Sequence, residues 1–271
     1  MELIKALKIT TLFFLTIVIS LVKFYNPVFA GLAEDMKYQI EATKNLMSGD
    51  LDSAKSFIDK IENTKTKEDL MVGLATNYLI KGELDSAKPL IDKIENTKIK
   101  EDLMVGLATN YLTKGDLDSA KPLIDKIENT KIKENLMVSL ATNYLTKGEL
   151  DSAKPLIERI EDKKLKEVLI VGIATGYIRK EDFNSAEPFI EKIEDKKLKE
   201  TLATNAMTVC LNKGEMKKAS EFLFSYVEEE QVLTNILFVF LTKYKDKSDY
   251  LGMIGFVSRF IFSGKIFQVK W

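Results

Sequence analysis

The chain has no histidine and a single cysteine, Cys210. The first absence removes the commonest general base and the commonest zinc ligand together. The second excludes a disulfide within the chain, and Cys210 reads as a buried, unreactive thiol on a helix stripe. No glycine-rich phosphate loop, nucleophile elbow or metal-spaced cluster occurs, so no cofactor and no metal are expected. Charge of one sign is lacking too: 40 basic and 41 acidic residues give a net of −1, which leaves no footprint for nucleic acid. What remains is a chain of 271 residues, 45% of them apolar, which is enough to bury an extended core.

What is present is repetition. Residues 100–132 repeat residues 67–99 with two differences, Ile80 against Thr113 and Glu83 against Asp116. The string GDLDSAK at Gly49 returns as GELDSAK at Gly82, GDLDSAK at Gly115 and GELDSAK at Gly148, then weakens to EDFNSAE at Glu181 and GEMKKAS at Gly214. Six copies therefore share a period of 33 residues, with Ala54, Ala87, Ala120, Ala153, Ala186 and Ala219 at one fixed place.

Within a copy, Leu70, Met71, Leu74, Ala75 and Tyr78 recur at helical spacing and predict a first helix that ends near Lys81 and Gly82. Leu84, Ala87, Leu90, Ile91 and Ile94 predict a second helix, with Asp85 or Ser86 as its N-cap. A cap at Ser86 would place Pro89 in the first turn, where proline costs no hydrogen bond. One such hairpin is too poor in apolar side chains to offset an ordering cost of ~1.5 kcal/mol per residue, so the copies must stack. Gly73, Gly106 and Gly172 each cost about 1 kcal/mol inside a helix relative to alanine, which points to close approach of another helix. Ser139 stands at that place in the fourth copy.

Tyr78, Gly82, Glu83 and Ala87, in that spacing, resemble the tetratricopeptide repeat, and the resemblance extends over about residues 34–231. It implies an all-α fold: a right-handed α-α superhelix, or solenoid, of about six to seven helical hairpins, whose first helices line a concave groove that binds peptides or proteins. On that resemblance the groove positions are Val72, Thr76 and Leu79, then Val105, Thr109 and Leu112, then Val138, Thr142 and Leu145, with Asp69, Asp102, Ile80 and Thr113 beside them. The family's clamp for a terminal carboxylate uses Lys with Asn or Arg at such places. Threonine and valine here favour an apolar peptide or helix instead. Packing against the next repeat is the competing reading for some of these residues. Asn77, Asn110 and Asn143 would bridge neighbouring helices.

The first 30 residues read as an export signal: Lys5 and Lys8, an apolar run from Ile9 to Val22, then Val28-Phe29-Ala30 before a cut. Removing them leaves 37 basic and 40 acidic residues. The run is short for a bilayer span, although a retained anchor stays open. Residues 32–48 supply a first helix with the stripe Met36, Ile40, Leu46 and Met47, read as an N-terminal cap. The charged joints between copies, such as ENTKIKED, read as a solvated surface rich in short-range ion pairs. Residues 232–271 predict capping helices over Val232–Tyr244 and Asp249–Phe262, and a tail with Phe260, Phe262, Phe267 and Trp271 as cap or contact.

These readings converge on an exported, periplasmic or secreted, non-catalytic scaffold for a protein or peptide partner. Two alternatives remain from the residues alone: an envelope glycan-cleaving enzyme using paired acids such as Asp69 and Asp102, and a passive spacer. Near-identical copies argue for binding, because an acid and a base need different environments.

Overall fold

The computed structural model describes residues 31–227 and the isolated position Ser258. The export segment, the helices placed at Val232–Tyr244 and Asp249–Phe262, and the aromatic tail lie outside the described residues. Every regular element among the described residues is helical. Helix α1 covers residues 31–48, followed by α2 (Leu51–Lys60), α3 (Thr64–Lys81), α4 (Leu84–Lys93), α5 (Thr97–Lys114) and α6 (Leu117–Lys126). Next come α7 (Thr130–Lys147), α8 (Leu150–Arg159), α9 (Lys163–Arg179), α10 (Phe183–Glu191), α11 (Lys196–Lys213) and α12 (Met216–Tyr226). Odd-numbered helices are the first helices of the six copies and even-numbered ones the second. The chain divides into two compact units, Met1–Glu128 and Asn129–Trp271.

Each unit is a stack of helical hairpins, the local arrangement of an α-solenoid. In the first unit α3 packs on α4, on the preceding α2 and on the next first helix, α5. In the second, α9 packs on α10, on α8 and on both neighbouring first helices, α7 and α11. The second-helix stripe is buried as its spacing predicts: Leu84, Ala87, Leu90, Ile91 and Ile94 lie in the core, as do Leu74, Ala75 and Tyr78 from the first helix. The glycines meet their neighbours as expected. A Cβ on Gly73 would stand 3.5 Å from Leu46 Cδ1, one on Gly106 3.3 Å from Leu79 Cδ1, and one on Gly172 2.9 Å from Leu145 Cδ1.

Helix ends are set by residues that recur at the period. First helices stop at Gly82, Gly115, Gly148 and Gly214, all left-handed. They start at Asn63, Asn96, Asn129, Asp162 and Asp195, whose side chains accept backbone N–H bonds from the first turn. For the second helices the cap lies earlier than Asp85 or Ser86. Glu83 is the N-cap of α4, and Asp50, Asp116, Glu149, Asp182 and Glu215 hold the same place elsewhere. Pro89 consequently sits beyond the first turn, and the Asp85 carbonyl forfeits its helical partner. Both residues are exposed, so that carbonyl is open to solvent rather than buried without a partner, and the helix continues.

Many charges of the joints are turned onto backbone groups. Glu68 Oε1 accepts the backbone N–H groups of Glu95 and Asn96 at 2.8 and 2.9 Å, one copy ahead. Glu167 does the same for Glu194 and Asp195. Asp35 does it for Glu62 and Asn63. The adjacent lysines turn back onto carbonyls: Lys67 Nζ donates to Asp59 O and Ile61 O, and Lys100 to Asp92 O and Ile94 O. At the opposite end of the hairpins Lys81, Lys114 and Lys180 donate to Gly49 O, Gly82 O and Gly148 O. Charges thus satisfy backbone groups that helix ends leave without partners.

Helix α1 presents a different face from the one its apolar residues suggest. Ala42 is buried, and Tyr38 stacks near Phe57 with ring centroids 6.4 Å apart. Met36, Ile40 and Met47 are exposed. The cause is register, since Ala42 corresponds to Ala75. At the places of Leu70 and Leu74, α1 carries Lys37 and Glu41, polar residues that suit the end of a stack.

Candidate functional site

One surface recurs in every copy, the outward face of the first helix. Its positions follow helical phase from the helix start: in α3 they are Lys65, Asp69, Val72, Thr76 and Ile80, at steps of four, three, four and four. Among the described residues, five of the seven large apolar side chains that stay in water lie at these positions, and Ile40 and Leu198, at the places of Gly73 and Thr66, do not. Leu32 and Met36 occupy the places of Lys65 and Asp69 in α1, and Met47 that of Ile80; Met47 is 85% exposed and Ile80 79%. In the second unit Val168, at the place of Asp69 in α9, is likewise exposed. Second helices show nothing comparable. The exposed residues of α4 are Asp85, Ser86, Lys88, Pro89, Asp92 and Lys93.

The nine groove positions separate into three kinds. Thr76, Thr109 and Thr142 are exposed. Each hydroxyl donates to the carbonyl four residues back, Val72 O, Val105 O and Val138 O, at 2.8 Å. Thr175 and Thr208 repeat the bond in α9 and α11. With their donors committed, these threonines offer methyl groups and acceptor lone pairs. Val72, Val105 and Val138 are half-buried beside them. Leu79 and Leu112 are only 8% and 6% exposed, and Leu79 covers Gly106 on the next first helix. Leu145 is half-buried and covers Gly172 in the same way. Leu79 and Leu145 thus hold neighbouring first helices together, and the buried Leu79 and Leu112 leave little area for a partner.

Asn77, Asn110 and Asn143 do not bridge helices. Their amides donate within the same helix, to Gly73 O, Gly106 O and Ser139 O at 2.9 to 3.0 Å. Asp69 and Asp102 are exposed carboxylates. The Cys210 thiol is fully buried, and burial pushes its pKa up to about 12, which removes thiolate chemistry. Burial also raises the phenol pKa of Tyr78 and Tyr111, aided by Asp52 and Asp85 respectively. Among the described residues no group of three or more potential ligands could hold a metal ion, and no helix is long and apolar enough to cross a membrane.

Open clefts lie where the starts of first helices meet the joints. The larger, about 840 Å³, is lined by Arg159, Glu161, Lys164, Lys192 and Glu194 among others. A smaller one in the first unit, about 340 Å³, has Lys98, Met104, Lys126 and Glu128 in its wall. Sequence reasoning placed Met36, Ile40 and Met47 on the stripe of an N-terminal cap, and singled out neither Leu32 nor the lysines at the first-helix starts. Aligning α1 with α3 residue by residue carries that signal. No family model matches the chain, and no curated protein does.

Proposed function

We propose that the chain is a non-catalytic, tetratricopeptide-like scaffold that binds a peptide or protein segment along the outward faces of its first helices, after export from the cytoplasm. The observation that carries the reading is the distribution of exposed apolar surface. A soluble repeat can place lysine or glutamate at any solvent position without cost, as its second helices do. Leaving Leu32, Met36, Met47 and Ile80 in water on one face has a use only if something covers them. Val72 and Val105, with Thr76 and Thr109, extend that face as a weakly polar floor, and Val138 and Thr142 repeat the pattern in the second unit. The residues before Gly31 support export by their charge, apolar run and small-residue end.

The test is a crosslinking capture from envelope extract with the wild-type chain and with a Thr76→Lys, Thr109→Lys and Thr142→Lys variant. Those side chains are exposed, so the variant should fold, which circular dichroism checks. Loss of a specific partner by the variant is the expected result. Equal recovery of every partner by both proteins would sink the reading. The mass of the exported protein should correspond to a chain beginning at Gly31.

A further inference from the structure

The first-helix faces of the two units differ in charge although their backbones repeat. In the first unit Lys65 and Lys98 are each followed four residues later by an acid, Asp69 and Asp102, so the face is locally neutral. In the second unit the same lysines persist as Lys131, Lys164 and Lys197, but the acid is replaced by Asn135, Val168 and Thr201. All three lysines are exposed, and none forms an ion pair with the described residues. Arg179 adds a fourth exposed cation on this phase. The cleft beside Lys164 is lined by four acids, Glu158, Glu161, Glu167 and Glu194, and by five cations including Lys164, one in excess. The lysine column is therefore a surplus.

Building on the scaffold reading, we propose that the first-helix starts of the Asn129–Trp271 unit bind an acidic peptide segment whose carboxylates are seated by Lys131, Lys164 and Lys197. Helices α7, α9 and α11 pack on one another in order. Their axes are therefore about 8–10 Å apart, and an extended chain at about 3.3 Å per residue meets that spacing at every third residue. Val168, 68% exposed, gives the segment an apolar contact between the outer two lysines. Asn135 and Thr201 flank it with groups able to accept from a peptide N–H.

The chain carries its own control, because two of its copies hold the neutral version of the same face. Random peptides of about 12 residues, displayed on phage, are selected against the full chain. They are then scored on four variants: Lys131→Gln with Lys164→Gln and Lys197→Gln; Asn135→Asp with Val168→Asp; Lys65→Gln with Lys98→Gln; and Thr142→Lys with Thr175→Lys. The second restores what Asp69 and Asp102 do in the first unit, so its fold is that of a natural copy. We expect enriched clones to be rich in Asp and Glu. Their affinity should fall about tenfold in the first two variants, as loss of several exposed ion pairs implies, and should be unchanged in the third. Binding should weaken between about 0.05 and 0.5 M salt. Clones lost on Thr142→Lys and Thr175→Lys, yet free of acidic enrichment or indifferent to the lysines, would overturn this assignment and leave the scaffold standing. A selection that yields no clone dependent on any first-helix face would overturn both.

Discussion

At the scale of single residues, the position after each first helix shows how little the chain can vary. Five copies place glycine there with φ between 72° and 82°, whereas the fifth copy holds Glu181 at φ 62°. A side chain with a Cβ pays about 1 kcal/mol in that conformation, and the surface pair of Glu181 with Lys213 returns less than that. Glu181→Gly should therefore raise the thermal midpoint, by a gain of up to about 1 kcal/mol read from denaturant unfolding; a loss of stability would show that the pair outweighs the backbone. Gly176 carries the opposite lesson. A Cβ there would come within 2.6 Å of Leu150 Cδ2, the movable end of a side chain, so Leu150 fills space at a position where the second, third and fourth copies carry asparagine.

At the scale of elements, the two differences between the second and third copies each have a structural effect. Asp116 accepts the backbone N–H of Ser119 at 3.1 Å, whereas Glu83, one methylene longer, makes no side-chain cap bond on α4. Glu149 and Glu215 fail in the same way, and Asp50 and Asp182 succeed. Glu83→Asp with Glu149→Asp should then stabilise the protein by about 0.5–1 kcal/mol per helix, seen as a higher melting temperature at neutral pH. The capping aspartates also set a pH dependence. Hydrogen bonds from the Ser53 and Ser185 side chains and amides hold Asp50 and Asp182 below the ordinary 3.8. Their folded values lie under the unfolded ones, so their contribution is present above about pH 4 and is lost as pH falls through the depressed values. Replacing both with serine should flatten the acid limb of a stability-against-pH curve below pH 4; an unchanged limb would remove these caps from the account.

On the scale of the whole molecule, stability is shared between copies. Leu79 is buried by the next first helix, and Glu68 holds amides that belong to the next joint. A peptide of residues 97–127, the α5–α6 hairpin cut free, should be largely unfolded by circular dichroism, because Gly106 loses Leu79 and α5 loses α3 and α4. A folded monomeric hairpin would contradict the stacking account.

The sequence by itself determined the period, the pair of helices per copy, the glycine stops and the second-helix core, because each follows from local spacing and backbone chemistry. Local spacing did not show what the charged joints bind. Lys67 and Glu68 look like an interleaved ion-pair surface along the chain, and their partners are carbonyls and amides that are brought near only when hairpins stack. Tertiary structure alone decided that Leu79 and Leu112 serve packing while Thr76 and Thr109 face water. It also decided that α1 turns Met36 and Met47 outward. Helical spacing lists which residues share a stripe, but which stripe is covered depends on what lies beside it, and that neighbour comes from a different copy.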